Sequence, residues 1–128
     1  MEEKFIGYFD GSSVPNPGTM QIGGQILDSN RKVVYAYSKP MGDGTNNQAE
    51  YLSLIELLKA AKAKGIKRIT IQGDSMLVVN QVNQSWKAKN SMMKRLQIIA
   101  LELLEYFDEW ELSHIYRENN KEADKLTR

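Results

Sequence analysis

The chain has 128 residues, 41% of them hydrophobic and 26% charged, with a formal net charge of +1, one histidine and no cysteine. That length supports one buried core and not two, so a single domain over residues 1–128 is expected. The composition leaves out a disulfide framework, a thiolate metal site, a cysteine nucleophile and a multi-histidine zinc site.

The opening "MEEKFIGYFDG" carries neither a basic leader nor a long apolar run, and no stretch approaches the roughly eighteen apolar residues of a membrane span. An untargeted, cytoplasmic protein without a membrane partner is expected. "KFIGYFD" predicts a first strand ending at Asp10 and stopped by the loop "GSSVPNPG". "MQIGGQILD" and "KVVYAYSK" predict two more strands joined by the short "SNR", together an antiparallel meander.

A polar loop, "PMGDGT", leads into a helix from about Asn47 to Lys64, closed by Gly65. Its apolar stripe, Leu54, Leu57 and Ala61, has Glu50 at its head, which turns a carboxylate toward the core. "IKRITIQGD" predicts a fourth strand, parallel to the first because strand–helix–strand crossovers are right-handed. "SMLVVNQVNQ" predicts a short helix. "MMKRLQIIALELLEYF" predicts a long one with its stripe through Met93, Leu96, Ile99, Leu103 and Phe107. "WELSHIY" alternates as a fifth strand, and "NNKEADKLTR" predicts a terminal helix. The order βββαβααβα is that of an α/β domain without internal repeats.

Asp10 and Asp74 end the first and fourth strands, so they are expected side by side at the carboxyl ends of parallel neighbours, where open α/β sheets bind ligands. Glu50 and Asp124 fall on helices nearby in the connectivity. Acids gathered within a few ångströms need a counter-charge, because like charges raise one another's pKa. Oxygen ligands without histidine or cysteine suit Mg²⁺ or Mn²⁺. Two such ions about 4 Å apart would hold a phosphodiester for hydrolysis, which is nuclease chemistry.

Each acid also has a structural reading. Glu50 fits a helix N-terminus, Asp74-Ser75 a helix cap, Asp10-Gly11 a turn, and Asp124 a solvated helix face. The net charge hides a base-only stretch between Ser75 and Leu101, with Lys87, Lys89, Lys94 and Arg95. These are either phosphate contacts or a solvated face, and Trp86 beside them either a nucleic-acid contact or packing.

Four segments together, "FDGSSVPNPG", "TNNQAEY", "IQGDSMLVVNQVN" and "YRENNKEADKL", resemble the motifs of ribonuclease H, type 1. They occur in order along nearly the whole chain, with acid separations of 40 (50−10), 24 (74−50) and 50 (124−74) residues. The resemblance implies a five-stranded mixed sheet with helices on both faces and cleavage of the RNA strand of RNA/DNA hybrids with two divalent metals, Mg²⁺ or Mn²⁺. It makes Asp10, Glu50, Asp74 and Asp124 the catalytic metal ligands. Gly11, Ser12, Asn16, Asn46, Gln48 and Ser75 become hybrid contacts, several to the minor groove and its 2′-hydroxyls, and Thr45 a contact to DNA phosphate. A hybrid's wide, shallow minor groove is readable by amides and hydroxyls without sequence preference. Trp86, Lys87 and Lys89 are expected to grip phosphates, which makes binding salt-dependent.

Two departures from the family pattern matter. The basic protrusion of many members is replaced by "SWKAKNS", as in shorter members, so weaker substrate affinity is expected. The family's proton-shuttling histidine sits in a glycine-containing loop, whereas His114 lies in the alternating "ELSHIYRENN" and reads equally as a strand residue without chemistry. Arg117, like the arginine of shorter members, is the better phosphate or product contact, because it keeps its proton near neutral pH. A monomer needing no obligate protein partner is expected. The competing readings are a nucleic-acid-binding domain with weak or no turnover, and activity on another A-form duplex such as double-stranded RNA.

Overall fold

The computed structural model describes residues 3–121 and 126–127. Five strands form: β1 (Lys4–Val14), β2 (Gly18–Leu27), β3 (Val33–Gly44), β4 (Arg68–Gly73) and β5 (Glu109–His114). Three α-helices join them, α1 (Asn46–Ala63), α2 (Met76–Val82) and α3 (Ser91–Leu104), and a 3-10 turn spans Arg117–Asn119. The terminal helix expected over 119–128 falls mostly outside the described residues.

The strand order is β3-β2-β1-β4-β5. β1, β2 and β3 form the antiparallel meander, and β4 runs parallel to both β1 and β5, as the crossover rule requires. Two loops expected from Gly and Pro punctuation are shorter than expected, the first reduced to a turn at residues 15–17. β1 continues from Gly11 to Val14 because β2 still pairs with it there, down to Val14↔Thr19. β3 continues through "PMGDG" to Gly44, paired with Gly18. Pro40 is tolerated because β3 is an edge strand, where a missing N–H costs no ladder bond.

α1 begins where Thr45 Oγ1 accepts the Gln48 N–H at 3.1 Å, and ends where Gly65 takes φ 75°. Around that left-handed glycine, the Ile66 N–H bonds the Ala61 carbonyl and the Gly65 N–H the Lys62 carbonyl, both at 3.0 Å. Between these caps the expected stripe, Leu54, Leu57 and Ala61, is fully buried against the sheet. Each leucine so buried contributes about 1.5–3 kcal/mol. Leu57 fills the space above Gly7, where an added Cβ would meet it at 2.7 Å.

α3 departs from its expected stripe. Met93, Leu96, Ala100 and Leu104 are buried, whereas Ile99 is 36% exposed and Leu103 half-buried. The true stripe steps by four after Leu96 and runs through a small alanine, which lets α3 lie close against α1. Two bonds join residues near the chain's end to the sheet: Asn120 Nδ2 donates to the Phe9 carbonyl at 3.0 Å, and the Ser38 hydroxyl donates to the Leu126 carbonyl. Among the described residues no helix is long and apolar enough to cross a membrane.

Candidate active site

Parallel pairing of β1 with β4 ends at Phe9↔Gly73, and the next residue of each strand is an acid, Asp10 and Asp74. Asp10 therefore does not end β1; it marks where β1 loses β4 and keeps only β2, opposite Gly23. Its neighbour Gly11 lies beneath the first turn of α1. A Cβ there would sit 2.4 Å from the Ala49 carbonyl and 2.7 Å from the Glu50 nitrogen, so only glycine permits this approach. The approach brings the α1 backbone down onto the strand beside Asp10.

Asp10, Glu50 and Asp74 each offer a carboxylate oxygen within 4.8 Å of the others'. Asp10 and Glu50 are buried and Asp74 is half-buried. Glu50 does lie near the N-terminus of α1, and its inward position is real. Its carboxyl is held well above the usual carboxylate range by burial first, then by the Asp10 and Asp74 charges, with the Gly11 N–H pulling the other way. Among the described residues, Glu50 Oε1 has no hydrogen-bond partner. A buried carboxylate oxygen facing two other acids is the donor set of a hard divalent cation. Asp74 is not the cap of α2; Ser75 is, its hydroxyl accepting the Val78 N–H at 3.3 Å.

The amide and hydroxyl residues gather beside this cluster. The Asn46 N–H donates to Asn16 Oδ1 at 3.0 Å, and Asn46 Oδ1 accepts the Ser13 N–H at 2.7 Å. These bonds tie the turn at residues 15–17 to the start of α1. Asn16, Thr45 and Asn46 line one wall of a groove of about 1300 Å³, and Trp86, Lys87 and Lys89 the other. Both lysines are exposed and Trp86 is 46% exposed, so the tryptophan is not core packing. Gln48 is half-buried near Gly44, and Ser12 lies two residues beyond Asp10 on β1. Lys94 and Arg95 are exposed on α3.

His114 ends β5 opposite Gly73, on the parity of the buried Leu112, with its ring edge-on to Tyr116 at 5.7 Å. Arg117 opens the 3-10 turn, and its side chain lies outside the described residues, as does Asp124. Two residues escaped the sequence reading. Asn120 is 1% exposed, bonded to the carbonyl just before Asp10, with its Oδ1 unpartnered among the described residues. In the sequence it resembles only a helix-cap asparagine. Gln81, inside an apolar-looking helix, is 4% exposed and accepts the Tyr51 hydroxyl at 2.6 Å.

The family model described as "Reverse transcriptase-like" matches residues 8–128. Ribonuclease HI of Halobacterium salinarum is 39% identical over 119 residues, covering 93% of this chain and 60% of that protein. The chain thus spans about three fifths of that relative's length. The crystal structure of RNase H1 from Halobacterium salinarum NRC-1 matches with a TM-score of 0.93 at 37% identity, covering 96% of this chain and 93% of that one. LC11-RNase H1, solved in complex with an RNA/DNA hybrid, matches with a TM-score of 0.89 at 31% identity, covering 95% and 92%. With the sheet order, the gathered acids and a match along nearly the whole chain, the protein belongs to the ribonuclease H, type 1, family.

Proposed function

We propose that this chain is a metal-dependent endoribonuclease that hydrolyses the RNA strand of RNA/DNA hybrids, acting as a monomeric single domain over residues 1–128. The observation that carries the reading is the convergence of Asp10, Glu50 and Asp74 within 4.8 Å, with Glu50 Oε1 unpartnered among the described residues. These three, joined by Asp124, would hold two divalent ions, Mg²⁺ or Mn²⁺. Bound there, the ions supply Lewis acidity that eases deprotonation of the attacking water and stabilises the departing oxygen. In the hydrolysis, water oxygen bonds to phosphorus, one phosphoester P–O bond breaks, and the leaving oxygen takes up a proton.

The remaining work falls to the chain's own residues. Asn16, Asn46 and Gln48, with Gly11, Ser12 and Ser75, hold the hybrid's minor groove over the acids. Thr45 and the Trp86–Lys87–Lys89 wall hold phosphates, so affinity falls with salt. Arg117 contacts the scissile or product phosphate, and His114, at the end of the neighbouring strand, is the candidate proton carrier. A closely related family member solved on an RNA/DNA hybrid supports this substrate class.

The test is cleavage of labelled hybrid, duplex DNA and duplex RNA with Mg²⁺ or Mn²⁺, beside Asp10→Asn. Cleavage confined to the RNA strand of the hybrid, lost in the variant, is expected. An intact hybrid at high enzyme, or equal cutting by Asp10→Asn, overturns the reading.

A further inference from the structure

The groove's basic wall is a short connection, and a buried amide links it to the helix that carries Glu50. Tyr51, the residue after Glu50, is fully buried on α1, and its hydroxyl donates to Gln81 Oε1 at 2.6 Å. The other end of the same side chain, Gln81 Nε2, donates to the Lys87 carbonyl at 3.4 Å, a long bond that the buried setting still favours over none. A backbone carbonyl only accepts, so the Lys87 contact fixes which end of the amide is nitrogen. Gln81 is itself held from α3, where Gln97 Nε2 donates to its carbonyl at 2.6 Å.

The rest of the connection is anchored from the same helix. The Asn80 carbonyl accepts the Ser85 and Trp86 N–H groups at 2.8 and 3.1 Å, and Ala88 is buried between the two exposed lysines. These bonds hold the connection to α2, and the Gln81 amide adds the link from Lys87 to the helix turn that delivers Glu50.

We infer that Gln81 and Tyr51 form a positioning pair, setting the distance between the phosphate-gripping wall and the carboxylate cluster. This rests on the hybrid-binding reading above. Gln81 lies at the groove lining, yet both side chains are buried and bonded within the protein, so the pair's effect passes through Lys87 on one side and α1 on the other. Losing either partner lets the basic wall sample positions that do not match a phosphate when the scissile bond lies over the acids.

The experiment uses Tyr51→Phe and Gln81→Leu in two backgrounds, wild type and Lys87→Ala/Lys89→Ala. Hybrid affinity is read by fluorescence anisotropy in Ca²⁺, and KM and kcat by cleavage in Mg²⁺. In the wild-type background Kd and KM rise roughly 3- to 10-fold, the worth of one or two buried hydrogen bonds, and kcat changes less. In the lysine-free background the same changes have little further effect on Kd. A merely structural role would lower the active fraction equally in both backgrounds. Unchanged Kd in both variants, or a rise that persists undiminished without the lysines, overturns the inference. Should wild type bind hybrid without cutting it, the cleavage proposal fails while the Kd comparison still decides this one. Absence of hybrid binding overturns both.

Discussion

Replacing Glu50 by glutamine removes one charge from three crowded carboxylates while keeping size and shape. Two unit charges 4.8 Å apart at an effective dielectric of about 20 repel by 332/(20 × 4.8), roughly 3.5 kcal/mol. Asp74 is half-buried, so water screens its share, and the Asp10 pairing dominates. Glu50 relieves part of the strain by binding a proton more tightly than in the unfolded chain. Its raised folded-state pKa gives a definite sign: the contribution to stability is complete below the ordinary value of 4.5 and lost as pH rises through the folded value. At pH 8 with chelator, Glu50→Gln is therefore expected to be more stable than wild type by about 2 kcal/mol, on the order of 5–10 °C in melting temperature. At pH 4 the difference should shrink. Thermal unfolding by circular dichroism at both pH values checks this. Equal or lower stability of the variant at pH 8 would refute the carboxylate-crowding argument.

The same acids make metal a stabiliser: saturating Mn²⁺ or Mg²⁺ should raise the wild-type melting temperature, by about 2.7 kcal/mol of stability at 100 times Kd, and Asp10→Asn should lose most of that shift. Gly11→Ala places a methyl 2.4 Å from the Ala49 carbonyl, so it should cost roughly 1–3 kcal/mol and depress cleavage further by lifting Glu50 away. Urea unfolding and hybrid cleavage measure the two parts. Leu57→Ala, fully buried over Gly7, should cost about 2–5 kcal/mol in urea unfolding, with metal-dependent stabilisation intact. Lys87→Ala should weaken hybrid binding for all sequences alike and reduce the slope of log K against log salt by about 0.9.

The order of elements and the α1 stripe were legible because strand alternation and helical periodicity are local patterns that tertiary packing reinforced. The inward Glu50 was visible as a break in the pattern of one helix. Its distance from Asp10 was not, since that depends on Gly11 lying under Ala49, a contact 38 positions apart (49−11) that no periodicity encodes. Gly and Pro misled twice: Gly11 reads as a turn former, yet serves close approach inside a strand, and Pro40 reads as a strand breaker, yet sits on an edge. On α3 a stripe drawn by size chose Ile99 over Ala100, while packing against α1 demanded the smaller residue. Buried amides such as Gln81 and Asn120 carry no sequence signature, because their role lies in partners brought from other elements.

The knot between Asn16, Asn46 and Ser13 restricts what this surface can say to a nucleic acid. Both asparagine oxygens are occupied by backbone N–H groups, of Asn46 and of Ser13. Each oxygen has thus already spent one of its two lone pairs inside the protein, while both NH₂ groups stay available to donate to a ligand. Every base pair shows acceptors in the minor groove, and the 2′-hydroxyl oxygen adds another on RNA. The two asparagines present mainly donors, which acceptors at the right depth satisfy whichever base is present. In the hybrid-binding proposal, the internal bonding of these two asparagines thus favours contacts that do not depend on sequence.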